Sequence, residues 1–141
     1  MMDDSELYDQ FCDCTLPAEE WTHRGHVKVA YLHLCRFPFD EAMDKLRERI
    51  KKYNASRNVP EGPLEGYNET TTYAFLHIMK STINAHGEKL PTADADSFCD
   101  THTHILNKHL LRIFYSPEQR LHPDAKTKFV EPDLTPLPKF Q

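Results

Sequence analysis

Leu16-Pro17-Ala18-Glu19-Glu20-Trp21-Thr22-His23-Arg24-Gly25-His26-Val27-Lys28-Val29-Ala30-Tyr31-Leu32-His33-Leu34-Cys35-Arg36 is the stretch whose reading decides the fold. Proline in a first turn tolerates the missing N–H, and the carboxylates behind it favour the positive end of a helix dipole. A helix is therefore expected to open after Leu16-Pro17 and run to about Arg36. At ~100° per residue, Val27, Ala30 and Leu34 form its core stripe, and stepping back by three and four residues lands on His23 and Glu20. His26 flanks the stripe, while Arg24, Lys28 and Arg36 fall on the far side, as a solvated face requires. One carboxylate and two imidazoles thus occupy positions where the periodicity asks for apolar core.

Working outward, Phe37-Pro38-Phe39-Asp40 breaks that helix and starts a second, in which Ala42, Met43, Leu46, Ile50 and Tyr53 recur at three and four. Asn58, Pro60, Gly62, Pro63 and Gly66 make residues 54–66 a long loop, of the kind that often serves as a lid. A third helix is expected from about Asn68 to His86 with Phe75, Leu76, Met79 and Ile83 inward; Gly87 stops it. Its stripe, too, continues backward into polar residues, Thr72 and Asn68. A fourth is expected from about Asp94 to Tyr115, with His102 and His109 as packing or surface residues on its inner side. Ser116-Pro117-Glu118-Gln119 has the form of a capping box with proline at the first helical position, which predicts a short fifth helix. From Phe129 onward the prolines forbid a helix and imply an extended tail lying over the rest.

No repeat and no strand pattern interrupts this series. The fold class is therefore read as all-α, an up-down helical bundle of four main helices plus a short fifth. Residues 1–141 form one helical domain, with residues 1–15 as an N-terminal segment and 129–141 as the tail. At 141 residues, a chain removes roughly two thirds of its unfolded surface from water, enough for one real core.

The net charge of −5 and the mixing of Lys and Arg with Asp and Glu leave no basic stripe for phosphates, which argues against nucleic acid. No segment approaches a membrane span and the acidic first residues lack a signal-peptide pattern, so a cytoplasmic protein is expected. Four cysteines in such a chain are expected as reduced thiols, and Cys12-Asp13-Cys14 is a weak soft-metal pair without a second pair to complete it. Nine histidines raise the prospect of metal or proton chemistry.

In an up-down bundle the first and third helices run the same way, so their starts share one end. Glu20, His23 and His26 would then face Asn68, Glu69 and Thr72, with Arg112 and Tyr115 arriving from the end of the fourth helix. Two chemistries suit that set. Glu20, His23, His26 and Glu69 have the residue types of a mononuclear zinc or iron site, since Glu-x-x-His places carboxylate and imidazole on one helix face. Without metal, His23 acts as a base oriented by Glu20 or Glu69, while Asn68, Thr72, Arg112 and Tyr115 bind an anionic or carbonyl-containing small molecule. The expected function is thus a small-molecule enzyme or binding protein, with homo-oligomerisation left open. The alternative is a structural or protein-interaction module in which these groups only satisfy helix ends. His23, at the centre of the stripe, is expected to be the most buried histidine.

The segments Glu20–His26, Tyr67-Asn68-Glu69-Thr70-Thr71-Thr72 and Phe129–Pro138 together resemble a family of small uncharacterised single-domain proteins with Glu-Trp-Thr-His-x-x-His and Tyr-(His/Asn)-Glu-Thr motifs. The resemblance spans most of the chain and implies a single soluble domain. The family often carries His before the second Glu, where this chain has Asn68.

Overall fold

The computed structural model describes residues 2–140, and among them the regular structure is helical. Residues 2–15 hold more regular structure than their lack of strong periodicity suggests. Asp3 accepts from the Glu6 N–H at 2.8 Å and the Glu6 carboxylate reaches back to the Asp3 N–H, a capping box that starts α1, Asp4–Cys12. Leu7 and Phe11, four apart, are buried by it; burying such side chains is worth about 1.5–3 kcal/mol each. Cys14, at φ 66°, then turns the chain.

The helix expected from Leu16-Pro17 to Arg36 comes in two pieces. Ala18–Glu20 is a single 3-10 turn, and α2 begins only at His23, after Thr22, whose hydroxyl accepts from the Gly25 N–H at 3.1 Å. The Thr22 cap wins because it satisfies a helix N–H that would otherwise be orphaned. Gly25 makes the break fit: a Cβ there would collide with the Glu20 carbonyl oxygen folded across it. Further along, α2 (His23–Arg36) is buried on several sides, with Val29, Tyr31, Leu32, His33 and Leu34 all enclosed.

Helix α3, Phe39–Ser56, buries Phe39, Ala42, Met43, Leu46 and Tyr53, as its period requires. It also fixes the turn before α2, since the Tyr53 hydroxyl donates to the Leu16 carbonyl at 2.8 Å and Arg57 donates to the same oxygen. Asn68 caps α4, Glu69–His86, accepting from the Thr71 N–H at 2.9 Å.

The continuous helix expected from Asp94 to Tyr115 is a correction. The chain forms α5, Ala95–Thr101, then two 3-10 turns at Thr103–Leu106 and Leu110–Ile113. Asn107 accepts from the His109 N–H at 2.9 Å, a local side-chain bond that competes with the helical ladder. Ser116 caps the short α6, Pro117–Arg120, but Gln119 donates to the Glu131 carbonyl instead of completing the box.

The tail runs extended over α4 and the last 3-10 turn. Tyr115 donates to the Val130 carbonyl at 2.7 Å, Leu134 N–H to the Phe114 carbonyl, and Ser81 to the Pro138 carbonyl at 3.0 Å. Phe140 packs on Phe39, ring centres 4.9 Å apart. The main core lies among α1, α2, α3, α4 and α5, with a smaller one around Leu111 and Tyr115. Among the described residues no helix is long and apolar enough to cross a membrane.

Candidate functional site: a cavity at the start of the second helix

A cavity of about 120 Å³ opens between α2, α3 and α4. Trp21, His23, His26, Val27 and Ala30 form one wall; Leu46 and Ile50 come from α3, and Thr71, Thr72, Phe75, Leu76 and Met79 from α4. The lining is mostly apolar, with two imidazoles and two threonine hydroxyls as its polar points.

A backbone carbonyl holds each imidazole, that of Thr22 for His26 and that of Ile105 for His23. His26 donates from Nδ1 to the Thr22 carbonyl at 2.6 Å and stacks on Trp21 with ring centres 3.6 Å apart. A carbonyl only accepts, so that nitrogen carries the proton and Nε2 is left bare. Burial of the ring pushes the His26 pKa down to about 4, against the pull of the Thr22 hydrogen bond, and the nearby His23 lowers it further. His26 is thus a neutral acceptor at neutral pH, with its Trp21-facing side covered while the residue as a whole is exposed to solvent. His23 pairs its Nε2 with the Ile105 carbonyl at 2.9 Å and meets the edge of Phe75. By the same argument Nε2 donates, and Nδ1 is the nitrogen left for a ligand.

The other residues expected here are placed elsewhere. Glu20 ends the 3-10 turn, is exposed, and borders a different cleft with Arg24, Lys28 and Asp96. Glu69 is enclosed and fully engaged: Arg47 grips it from Nε at 2.9 Å and from its terminal nitrogen at 2.8 Å, and the Tyr67 hydroxyl donates at 2.6 Å. Burial alone would raise the Glu69 pKa, but the Arg47 and Tyr67 hydrogen bonds overcome it and hold the carboxylate below its ordinary value. Among the described residues no three His, Cys, Asp or Glu side chains come together as a metal-holding group. Glu20, His23, His26 and Glu69 therefore do not form one ligand set, because the 3-10 break turns Glu20 away and Arg47 claims Glu69.

Asn68 is spent as a cap, while Thr72 lines the cavity and donates to the Asn68 carbonyl at 2.9 Å. Arg112 is exposed on the last 3-10 turn, and Tyr115 is buried in the smaller core. No residue of the 54–66 loop lines the cavity; that loop is tied down instead through Lys126, which bonds the Glu61 carboxylate and the Glu65 and Tyr67 carbonyls.

Nor is His23 the most buried histidine. His33 is wholly enclosed, donating from Nδ1 to the Val29 carbonyl at 2.8 Å and accepting at Nε2 from Arg49 at 2.9 Å. Because arginine only donates, His33 is neutral, and burial followed by the Arg49, Arg36 and Lys45 charges pushes it to about 4. Its place on the helix carried no sign of this, since the face it occupies is covered by α1, a helix the periodicity had not revealed. Thr71, Phe75 and Ile50 are cavity residues that the sequence reading missed as site residues, although two of them sit on stripes it did identify.

No protein-family model, curated protein or solved structure matches the chain.

Proposed function

We propose that this chain is a small-molecule enzyme or binding protein, and that its site is the cavity lined by Trp21, His23, His26, Thr71 and Thr72. One observation carries the reading. Two imidazoles have one nitrogen fixed by a backbone carbonyl and the other unbonded, beside an apolar cavity with room for a small ring. At about 120 Å³ the cavity is smaller than the enclosed one of about 150 Å³ that holds benzene, but it opens outward beside exposed His26, so the size class is a single ring whose substituent reaches out of the mouth. Such a ligand buries its body against Phe75, Leu76 and Met79 and donates a hydrogen bond to an imidazole. If a reaction follows, the chemistry available is proton acceptance at the unbonded Nδ1 of His23.

The cavity supports the up-down course as well. It is lined by α2 from His23 to Ala30 and by α4 from Thr71 to Met79, as two helices running the same way would do. The metal version of the reading is not carried forward, because its two carboxylates lie away from the imidazoles.

Trp21 is the only tryptophan and forms part of the wall, so its fluorescence reports occupancy directly. A neutral probe such as 2-phenylethanol is expected to change Trp21 emission saturably in the wild type and not in Ala30→Leu, which fills the cavity. Absence of saturable binding would overturn the proposal. His23→Ala separates site from scaffold: it should weaken probe binding, with about 1–3 kcal/mol of lost stability from the stranded Ile105 carbonyl. Full affinity in that variant would leave His23 as a strut alone.

A further inference from the structure

The start of α4 borders a second recess, of about 230 Å³, which shares Thr71 with the cavity of His23 and His26. It is lined by Pro63, Leu64 and Gly66 of the loop, Asn68 and Thr71 of α4, and Arg120 of α6. Arg120 is half-buried there, and among the described residues the one hydrogen bond of its guanidinium is a long one of 3.5 Å to the Thr71 hydroxyl. Two arginines of the chain have carboxylate partners, Arg47 with Glu69 and Asp44 and Arg24 with Asp96 and Asp100, while Arg49 and Arg57 bond hydroxyl, imidazole or carbonyl groups. Among the described residues no carboxylate pairs with Arg120.

The neighbouring charges leave it that way. Lys126, which borders the recess, is saturated by Glu61 and two carbonyls. Glu65 also borders it, but its carboxylate lies against Gly62 and makes no ion pair. Burial pushes the Arg120 pKa down; Tyr115 pulls it up, and the like charge of Arg112 pushes it down again. A partly dehydrated guanidinium beside another cation favours an incoming anion. The rim is apolar, since Leu64 and Leu121 are exposed by 80% and 63%.

Thr71 is common to both spaces: it lines this recess and also the cavity of His23 and His26. We infer that the ligand is a small carboxylic acid with an apolar body, its carboxylate held by the Arg120 guanidinium and the Thr71 hydroxyl and its ring inside the cavity. This rests on the cavity being a ligand site. The anionic partner that the sequence reading assigned to Arg112 thereby passes to Arg120, eight residues later and on the next element.

The test compares phenylacetate with its neutral counterpart 2-phenylethanol, read by Trp21 fluorescence on the full chain. The wild type is expected to prefer phenylacetate about tenfold, a preference that shrinks with added salt, and Arg120→Gln should erase it while leaving 2-phenylethanol affinity unchanged. Arg112→Gln, a control for general charge, should leave most of the preference. If 2-phenylethanol binds but phenylacetate binds no better, or if the preference survives Arg120→Gln, the carboxylate inference is overturned and the cavity reading stands. If neither probe binds, both fall together.

Discussion

At the start of α4 the polar groups of Asn68, Glu69 and Thr70 find protein partners. Asn68 caps, Glu69 is gripped by Arg47 and Tyr67, and the Glu69 and Thr70 N–H groups donate to the Lys126 and Ala125 carbonyls. At the start of α2 the comparable groups are only half satisfied: His23 and His26 each use one nitrogen on a carbonyl and keep the other beside a cavity. Both starts show polar residues continuing an apolar stripe. What separates them is the supply of partners from the rest of the chain, because a buried carboxylate must be paired, whereas a neutral imidazole can wait for a ligand at smaller cost.

The sharpest way to break this contrast is Glu69→Ala, which strands Arg47 and the Tyr67 hydroxyl. A loss of about 2–4 kcal/mol in denaturant unfolding is expected, somewhat under the full cost for a buried pair because Arg47 is partly solvated, with cavity-probe affinity unaffected. Lost probe binding at unchanged stability would reverse the roles assigned to the two starts. The same carboxylate gives a pH signature. Its folded pKa lies below the ordinary 4.5, so its stabilisation is present above 4.5 and is lost as pH falls through the folded value; Glu69→Gln should flatten that part of the stability curve.

Gly25→Ala attacks the other start. The added methyl meets the Glu20 carbonyl and must displace the turn that carries Trp21, so about 1–3 kcal/mol should be lost, and probe binding should weaken as well. A smaller effect is expected of Asn68→Ala, about 1 kcal/mol from a removed cap, again without change in probe affinity. Finest of all is an optical test of His26. Its ring lies on Trp21, and protonation near pH 4 should alter Trp21 emission with a midpoint close to that value in the wild type and no such step in His26→Gln. A midpoint in the ordinary imidazole range would mean that the ring is not held as described.

The helical class and the courses of α3 and α4 were legible because long apolar stripes at three and four, closed by Pro38, Asn68 and Gly87, leave little alternative. Helix α1 was not read, although Asp3 and Glu6 stand at capping-box spacing, because Leu7 and Phe11 alone make too short a stripe. Helix α5 was read too long. Side-chain competition at Asn107 is a local effect that periodicity does not register. At the candidate site, His23, His26 and Thr72 line one cavity, while Glu20 and Glu69 do not.

By itself, then, the sequence determined the helical class, the courses of α3 and α4, and that two helices begin near polar groups continuing an apolar stripe, since these follow from local spacing. Only the tertiary structure decided which of those groups stay available. Thr22 broke the helix behind Glu20, Arg47 reached 22 residues along the chain to take Glu69, and Ile105 came from 82 residues away to pin His23. Hydrogen-bond partners at such separations are chosen by packing, and no local pattern carries that information.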